Sequence, residues 1–379
     1  MKLSWNIQQL YRILLVLIIV LFISGCAGRY SPLPLNTSPA ERQAHLTSKI
    51  DRILDEEQSS MQSGISVIVK KNGAVIYKRS KGLADINLDI PVTSNTIFEI
   101  ASVSKPITAI AVMQLREKKL LLLNDSVRKW MPELPKTWDN ITIHYLLSHQ
   151  SGIPNIIENI PIGFFFYLDG LDNQRVIQRF VYDDTLLFKP GSSAKYSNSN
   201  YVLLAEVIGR ASGMTYSQYL HENIFLPLGM YSTYTAVDTP PGGASVALDY
   251  GHHIKILGAT LEMVGPIGIR STTSDLILLV DGLLSGKLIK TESLRLMTTP
   301  NSEYFIEKSE SFFYGYGWYI PKQKPALSVF SHKGDLHGFG AYLHVDHHNE
   351  LGCIILGNAG DKTRQTIHSI YWAVRNAYQ

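Results

Sequence analysis

Phe98-Glu99-Ile100-Ala101-Ser102-Val103-Ser104-Lys105-Pro106-Ile107-Thr108-Ala109-Ile110 sets a serine and a lysine three residues apart, where an extended run turns into an apolar helix. If Ser102 opens that helix, Lys105 stands one turn on and on the same face. A serine hydroxyl is a poor nucleophile at neutral pH and needs a base within hydrogen-bond reach. A desolvated, uncharged lysine can be that base. Backbone N–H groups at a helix start also favour a developing negative charge. The stretch predicts an acyl-transfer nucleophile at Ser102 with Lys105 beside it.

Spacing alone does not single out this pair. Ser-x-x-Lys occurs three times, at Ser102/Lys105, Ser126/Lys129 and Ser192/Lys195, and roughly one occurrence is expected by chance. Context separates them. Ser126 opens a charged segment and Ser192 lies in a Pro-Gly-Ser-Ser loop with no helix behind it. Only Ser102 sits where a lysine can be desolvated.

Two further stretches bear on the same chemistry. Tyr196-Ser197-Asn198 precedes an apolar helix. Tyr196 and Asn198 can point the same way, the phenol to shuttle a proton and the amide to hold both a substrate carbonyl and Lys105. Spacing leaves a second reading equally open, with Asn198 capping the helix and Tyr196 packing. His332-Lys333-Gly334 lies in a strand-like run, and Gly334 would let a substrate backbone come close. His144 and His149 read as packing or loop-capping residues.

In this order and context the three elements resemble the serine β-lactamase and penicillin-binding superfamily, in its class C β-lactamase/DD-peptidase branch. Leu146 to Pro154 (Leu-Leu-Ser-His-Gln-Ser-Gly-Ile-Pro), Leu226 to Met230, Tyr314 to Trp318 and Gly334 to Gly338 are similar to further family stretches, so the resemblance runs from about Ile50 to Ala377. It implies that Ser102 is acylated, with Lys105 its base or part of a proton network shared with Tyr196. It also implies that Asn198 positions the substrate amide or ester, and that the backbone N–H groups of Ser102 and Asp335 form the oxyanion hole. Such donors contribute roughly 3 kcal/mol each. The implied activity is hydrolysis through an acyl-enzyme, foremost DD-peptidase-like on cell-wall peptides, with an esterase or weak β-lactamase as alternatives. A silent penicillin-binding protein would lack a motif residue, and none is missing.

Two positions depart from the β-lactamases of that branch. His332 stands where they carry lysine as a fixed charge for the substrate carboxylate. Histidine is charged only below about pH 6.5 unless its surroundings shift it. Members with histidine there include DD-peptidases, esterases and D-amino-acid peptidases. Asp335 stands where a small residue is common, and its carboxylate would oppose an oxyanion unless strand alternation turns it away.

Outward from the nucleophile, strand signals gather at both ends of the chain and helices between. Ile65 to Lys70 and Ala74 to Tyr77 flank Asn72-Gly73, a strong hairpin signal. Ser328 to Gly340, Ala341 to Asp346 and Gly352 to Gly357 return to β character, and Asp361 to Tyr378 has the spacing of an amphipathic helix. Between them helical spacing dominates, and Ser271 to Leu276 reads as a capped start for a helix through Leu284. The expected fold is α+β and β-lactamase-like: an antiparallel sheet formed from both chain ends and flanked by helices, with a mostly helical inserted domain. Residues 41–124 and 250–379 would form the discontinuous α/β domain and 125–249 the helical one.

The N-terminus reads as an export signal. Lys2 and Arg12 precede an apolar run of about eleven residues from Ile13 to Ile23, short for a membrane span. Ile23-Ser24-Gly25-Cys26 looks like a bacterial lipobox, which makes residues 1–26 the signal peptide and Cys26 the lipidated residue. An ordinary signal peptide or uncleaved anchor is the plainer alternative. Residues 27–40 read as a tether holding the enzyme extracytoplasmically, on the periplasmic face of a bacterial membrane. Expected partners are a small-molecule or peptide substrate, peptidoglycan among them, and the membrane through the anchor. A net charge of +3 over 379 residues, with no Lys/Arg-rich run, gives nucleic-acid binding no electrostatic support. Two cysteines form no disulfide framework. His252, His253, His344, Asp346, His347 and His348 resemble ligands but make no closed set with standard spacing, so neither metal nor cofactor is expected.

Overall fold

The computed structural model describes residues 37–58, 63–157, 172–243, 245–248, 263–307, 310–322, 324–336, 338–359 and 361–378. The signal peptide, Cys26, most of the tether, His252 and His253 lie outside them. The chain divides into two compact units, the described part of Met1–Glu56 with His368–Gln379, and Glu57–Ile367. The first unit holds most of helix α1 (Pro39–Gln58), where the Arg42 guanidinium donates to the Ala377 carbonyl at 3.0 Å.

The second unit opens with the hairpin of β1 (Ile65–Lys71) and β2 (Ala74–Lys81). Its turn residues Asn72 and Gly73 both have positive φ, 48° and 75°, the backbone that suits an Asn-Gly pair. A short pair, β3 (Leu83–Asp85) and β4 (Ile90–Pro91), leads to β5 (Phe98–Glu99), a 3-10 turn at Ala101–Val103 and helix α2 (Ser104–Glu117). Ser102 therefore sits in a tight turn that runs directly into the helix. Every residue of α2 from Ser104 to Leu115 is buried, so the helix carrying Lys105 is central. Pro106 falls at its third position, where the missing N–H would have no acceptor within the helix.

Helices follow: α3 (Val127–Trp130), α4 (Ile143–Leu147), α5 (Asn173–Tyr182), α6 (Asn198–Ser212) and α7 (Tyr216–Leu220). Ser126, Thr142, Asp172 and Thr215 cap four of them with side-chain oxygens. Among the described residues of 125–249 the one strand is β6 (Tyr234–Thr235). Strand β7 (Ile269–Ser271) leads to α8 (Thr273–Leu284), capped by Thr272, and α9 (Thr291–Met297).

Six strands close the sheet: β8 (Ser302–Glu307), β9 (Glu310–Tyr314), β10 (Tyr319–Pro321), β11 (Val329–Leu336), β12 (Phe339–Asp346) and β13 (Leu351–Gly357), before helix α10 (Asp361–Tyr378). The order is β2-β1-β13-β12-β11-β10-β9-β8, antiparallel throughout. β1 runs against β13 from Ile65↔Gly357 to Lys71↔Leu351, so both ends of this unit's chain build one sheet, as the strand pattern predicts. Strands β8 to β10 were not expected. β10 is three residues long and ends in Pro321, which reads as a breaker.

A second, three-stranded sheet, β5-β7-β6, holds the turn before α2. Phe98 pairs with Ser271, Glu99 with Arg270, and Ile100 N–H donates to the Ile269 carbonyl at 3.0 Å.

Candidate active site

Ser102 follows Ala101, whose φ of +46° lies in the left-handed region although it is not glycine. That conformation costs about 1–2 kcal/mol and is kept where surrounding structure enforces it. The enforcing element is β11. A Cβ on Gly334 would stand 2.3 Å from the Ile100 carbonyl oxygen and 3.1 Å from Ser102 N. The close approach that demands glycine is thus made by the nucleophile turn itself, where the sequence reading assigned it to a substrate backbone.

Lys105 is fully buried. Its Nζ lies 2.9 Å from Ser102 Oγ, 2.7 Å from Asn198 Oδ1 and 3.0 Å from the Pro266 carbonyl oxygen. Burial holds its pKa well below the usual lysine range. Two of the three partners are carbonyl oxygens, which only accept. A neutral amine has two hydrogens, and these go to the carbonyls. Its lone pair then faces the Ser102 hydroxyl and can take that proton.

Asn198 is the first residue of α6, and Ser197 is the cap. The Asn198 amide faces Lys105, and its Nδ2 donates to Asn155 Oδ1 at 3.2 Å, so the capping alternative falls away. The half-buried Tyr196 ring lies beneath the amine, with Lys105 Nζ 4.6 Å from its centroid.

His332 is fully buried. Its Nδ1 lies 2.7 Å from the Lys333 carbonyl oxygen, which can only accept, so that nitrogen carries the hydrogen. Nε2, 3.0 Å from the Tyr314 hydroxyl, then accepts from it. The Tyr319 ring stacks on the imidazole at 4.6 Å. Burial pushes its pKa well below 6.5. Both ring nitrogens are thus hydrogen-bonded, and burial disfavours the imidazolium form at the position where the resemblance expects a charge for a substrate carboxylate.

Asp335 points the other way along β11, as strand alternation requires. Its Oδ2 meets Arg364 Nε of α10 at 2.7 Å, and that cation offsets the carboxylate next to the turn. Gly334, Ser102, Lys105, Asn198 and Tyr196 thus come together, with His332 behind them and Asp335 at the rim.

The other Ser-x-x-Lys pairs have local work. Ser126 caps α3 and Lys129 pairs with Asp125 at 2.8 Å, while Ser192 Oγ donates to the Lys189 carbonyl at 2.7 Å. His144 Nδ1 lies 2.6 Å from the Tyr316 hydroxyl. Asp346 accepts from Asn349 N at 3.0 Å and Asn349 Nδ2 at 2.8 Å, forming the polar turn after β12. Among the described residues no group of three or more His, Cys, Asp or Glu is placed to hold a metal ion. Pro266, Asn155 and Tyr314 were not foreseen as site residues. Pro266 contributes a main-chain carbonyl, which any residue could supply, and the other two act on motif residues far along the chain.

The sequence model of the family described as Beta-lactamase matches residues 50–373. Penicillin-binding protein 4* of Bacillus subtilis is 30% identical over 323 residues, covering 79% of this chain and 68% of that one. Esterase EstB of Burkholderia gladioli is 32% identical over 201 residues, covering 49% of this chain and 51% of that one. The chain thus spans about two thirds of the first relative's length and half of the second's. Among solved structures, the octameric penicillin-binding protein homologue from Pyrococcus abyssi superposes with a TM-score of 0.73 at 24% identity, over 86% of this chain and 76% of that one.

Proposed function

The chain belongs to the Beta-lactamase family of serine hydrolases, and from that membership we propose that Ser102 is its nucleophile and that catalysis runs through a covalent acyl-enzyme. Lys105 takes the Ser102 proton on its lone pair as Oγ adds to the substrate carbonyl carbon. The backbone N–H groups of Ser102 and Asp335 hold the oxyanion. Tyr196, whose ring lies beneath the same amine, relays the proton to the departing amine or alcohol. Water then attacks the acyl group, releasing the acid and restoring the Ser102 hydroxyl. The observation that carries this reading is the buried Lys105 Nζ 2.9 Å from Ser102 Oγ, where burial disfavours the ammonium and so frees a lone pair for that hydroxyl.

The test is labelling with a fluorophosphonate or fluorescent penicillin. Wild type should be labelled and Ser102→Ala not; a labelled Ser102→Ala protein would move the nucleophile elsewhere. Lys105→Ala should slow acylation by about 10²–10⁴-fold with the fold kept.

For substrate class, we propose a peptide or ester carbonyl. The peptide reading, DD-peptidase-like on cell-wall material, is supported by the penicillin-binding relative. The neutral, enclosed His332 favours a second reading, a small uncharged ester, because that ring supplies no charge for a substrate carboxylate. Assay against nitrocefin, p-nitrophenyl esters and D-Ala-D-Ala peptides separates them: turnover of the peptides supports the first reading and turnover of the esters alone the second. We further propose that Cys26 carries a lipid anchor outside the cytoplasm, on the support of residues 13–26 alone.

A further inference from the structure

We infer that His149, which the proposed mechanism does not use, is the positioning residue that fixes Tyr196 against Lys105; the inference rests on the reading of Tyr196 as a proton relay. His149 follows α4, with φ of +59°, and is buried. It grips both neighbours of Tyr196. Its main-chain carbonyl accepts the Lys195 N–H at 3.0 Å, and its Nδ1 accepts the Ser197 N–H at 3.2 Å. Its ring packs on the Tyr196 ring with centroids 4.4 Å apart and on the Tyr314 ring at 4.7 Å.

The hydrogen bonds fix the imidazole's form. Ser197 N–H can only donate. Ser151 Oγ accepts the Ile153 N–H at 3.0 Å, so its own hydrogen goes to Asn200 Oδ1 at 2.6 Å. That turns the Asn200 Nδ2 donor toward His149 Nδ1, 3.2 Å away. With two donors aimed at it, Nδ1 carries no hydrogen and Nε2 must. Nε2 is buried with no hydrogen-bond partner among the described residues. A buried N–H without an acceptor is a cost that an apolar ring would avoid. A phenyl ring could pack on Tyr196 equally well, but it could not accept the Ser197 N–H. The imidazole is therefore held for its Nδ1 acceptor, whose effect is to set the backbone that aims the phenol.

The experiment compares acylation and turnover of a p-nitrophenyl ester in His149→Phe, His149→Asn, Tyr196→Phe and the Tyr196→Phe/His149→Phe pair. Asparagine tolerates the left-handed backbone and offers Oδ1 near the place of Nδ1. His149→Phe should lower kcat about 100-fold, the order expected for a misplaced catalytic group, with KM within about twofold. His149→Asn should recover at least about 10-fold of that loss. In the Tyr196→Phe background His149→Phe should cost nothing more, because the group it aims is gone. Wild-type kcat in His149→Phe, a loss that multiplies fully onto that of Tyr196→Phe, or no recovery in His149→Asn would each overturn the inference. Should Tyr196→Phe itself turn over at the wild-type rate, the relay reading fails instead, a result separable from the other three.

Discussion

Burial strips water from the Lys105 amine and disfavours its charged form, and that sets how Lys105 responds to acid. Its pKa lies well below 10.5 because burial penalises the ammonium form. The acylation rate should therefore fall as pH drops through that depressed value, since only the neutral amine accepts the Ser102 proton. A pre-steady-state pH profile checks this, and a rate still climbing toward pH 10.5 would contradict it. His332 answers the same physics with the opposite visibility. Its pKa is pushed well below 6.5, so KM for carboxylate-bearing substrates should stay flat between about pH 6 and 8, where an ordinary histidine loses its charge. At this scale the sequence was informative about which side chains come together. Ser102, Lys105, Tyr196 and Asn198 were readable because their types and contexts are distinctive, and they meet within hydrogen-bond or ring distance. Pro266 was not readable because a main-chain carbonyl leaves no mark on residue type. The state of His332 was not readable because burial belongs to the fold.

Elements aim these groups by close backbone contact. Gly334→Ala on β11 would press a methyl group against the Ile100 carbonyl, 2.3 Å away. Overpacking of this kind costs about 1–3 kcal/mol, so denaturant titration should show that loss, with acylation falling further because the Ser102 turn shifts. At the same strand end, Arg364→Ala removes an ion-pair partner of Asp335. The pair is part-exposed and worth only about 0–1 kcal/mol to stability. The expected effect is several-fold slower acylation, restored by adding Asp335→Asn, as a double-mutant cycle would read. Helices and the terminal strands were legible from spacing and turn chemistry, as Asn72-Gly73 and the Thr272 cap illustrate. Strand β10 was not, because a three-residue strand ending in proline lacks a period to detect.

For the molecule as a whole, the anchor proposal predicts that Cys26→Ser moves the protein from the membrane pellet to the soluble extracytoplasmic fraction; a pelleted variant would count against lipidation. No helix among the described residues is long and apolar enough to cross a membrane. The pairing of β1 with β13, Ile65 opposite Gly357, carries a consequence for biogenesis. Sheets built from distant partners are slow to form, because loop closure must come before its reward. The hairpin made early in translation cannot acquire its neighbour until the ribosome has passed Gly357. Nonsense alleles that stop before Leu351 should therefore yield not a weakened hydrolase but a chain with an open strand edge, ready for proteases or self-association.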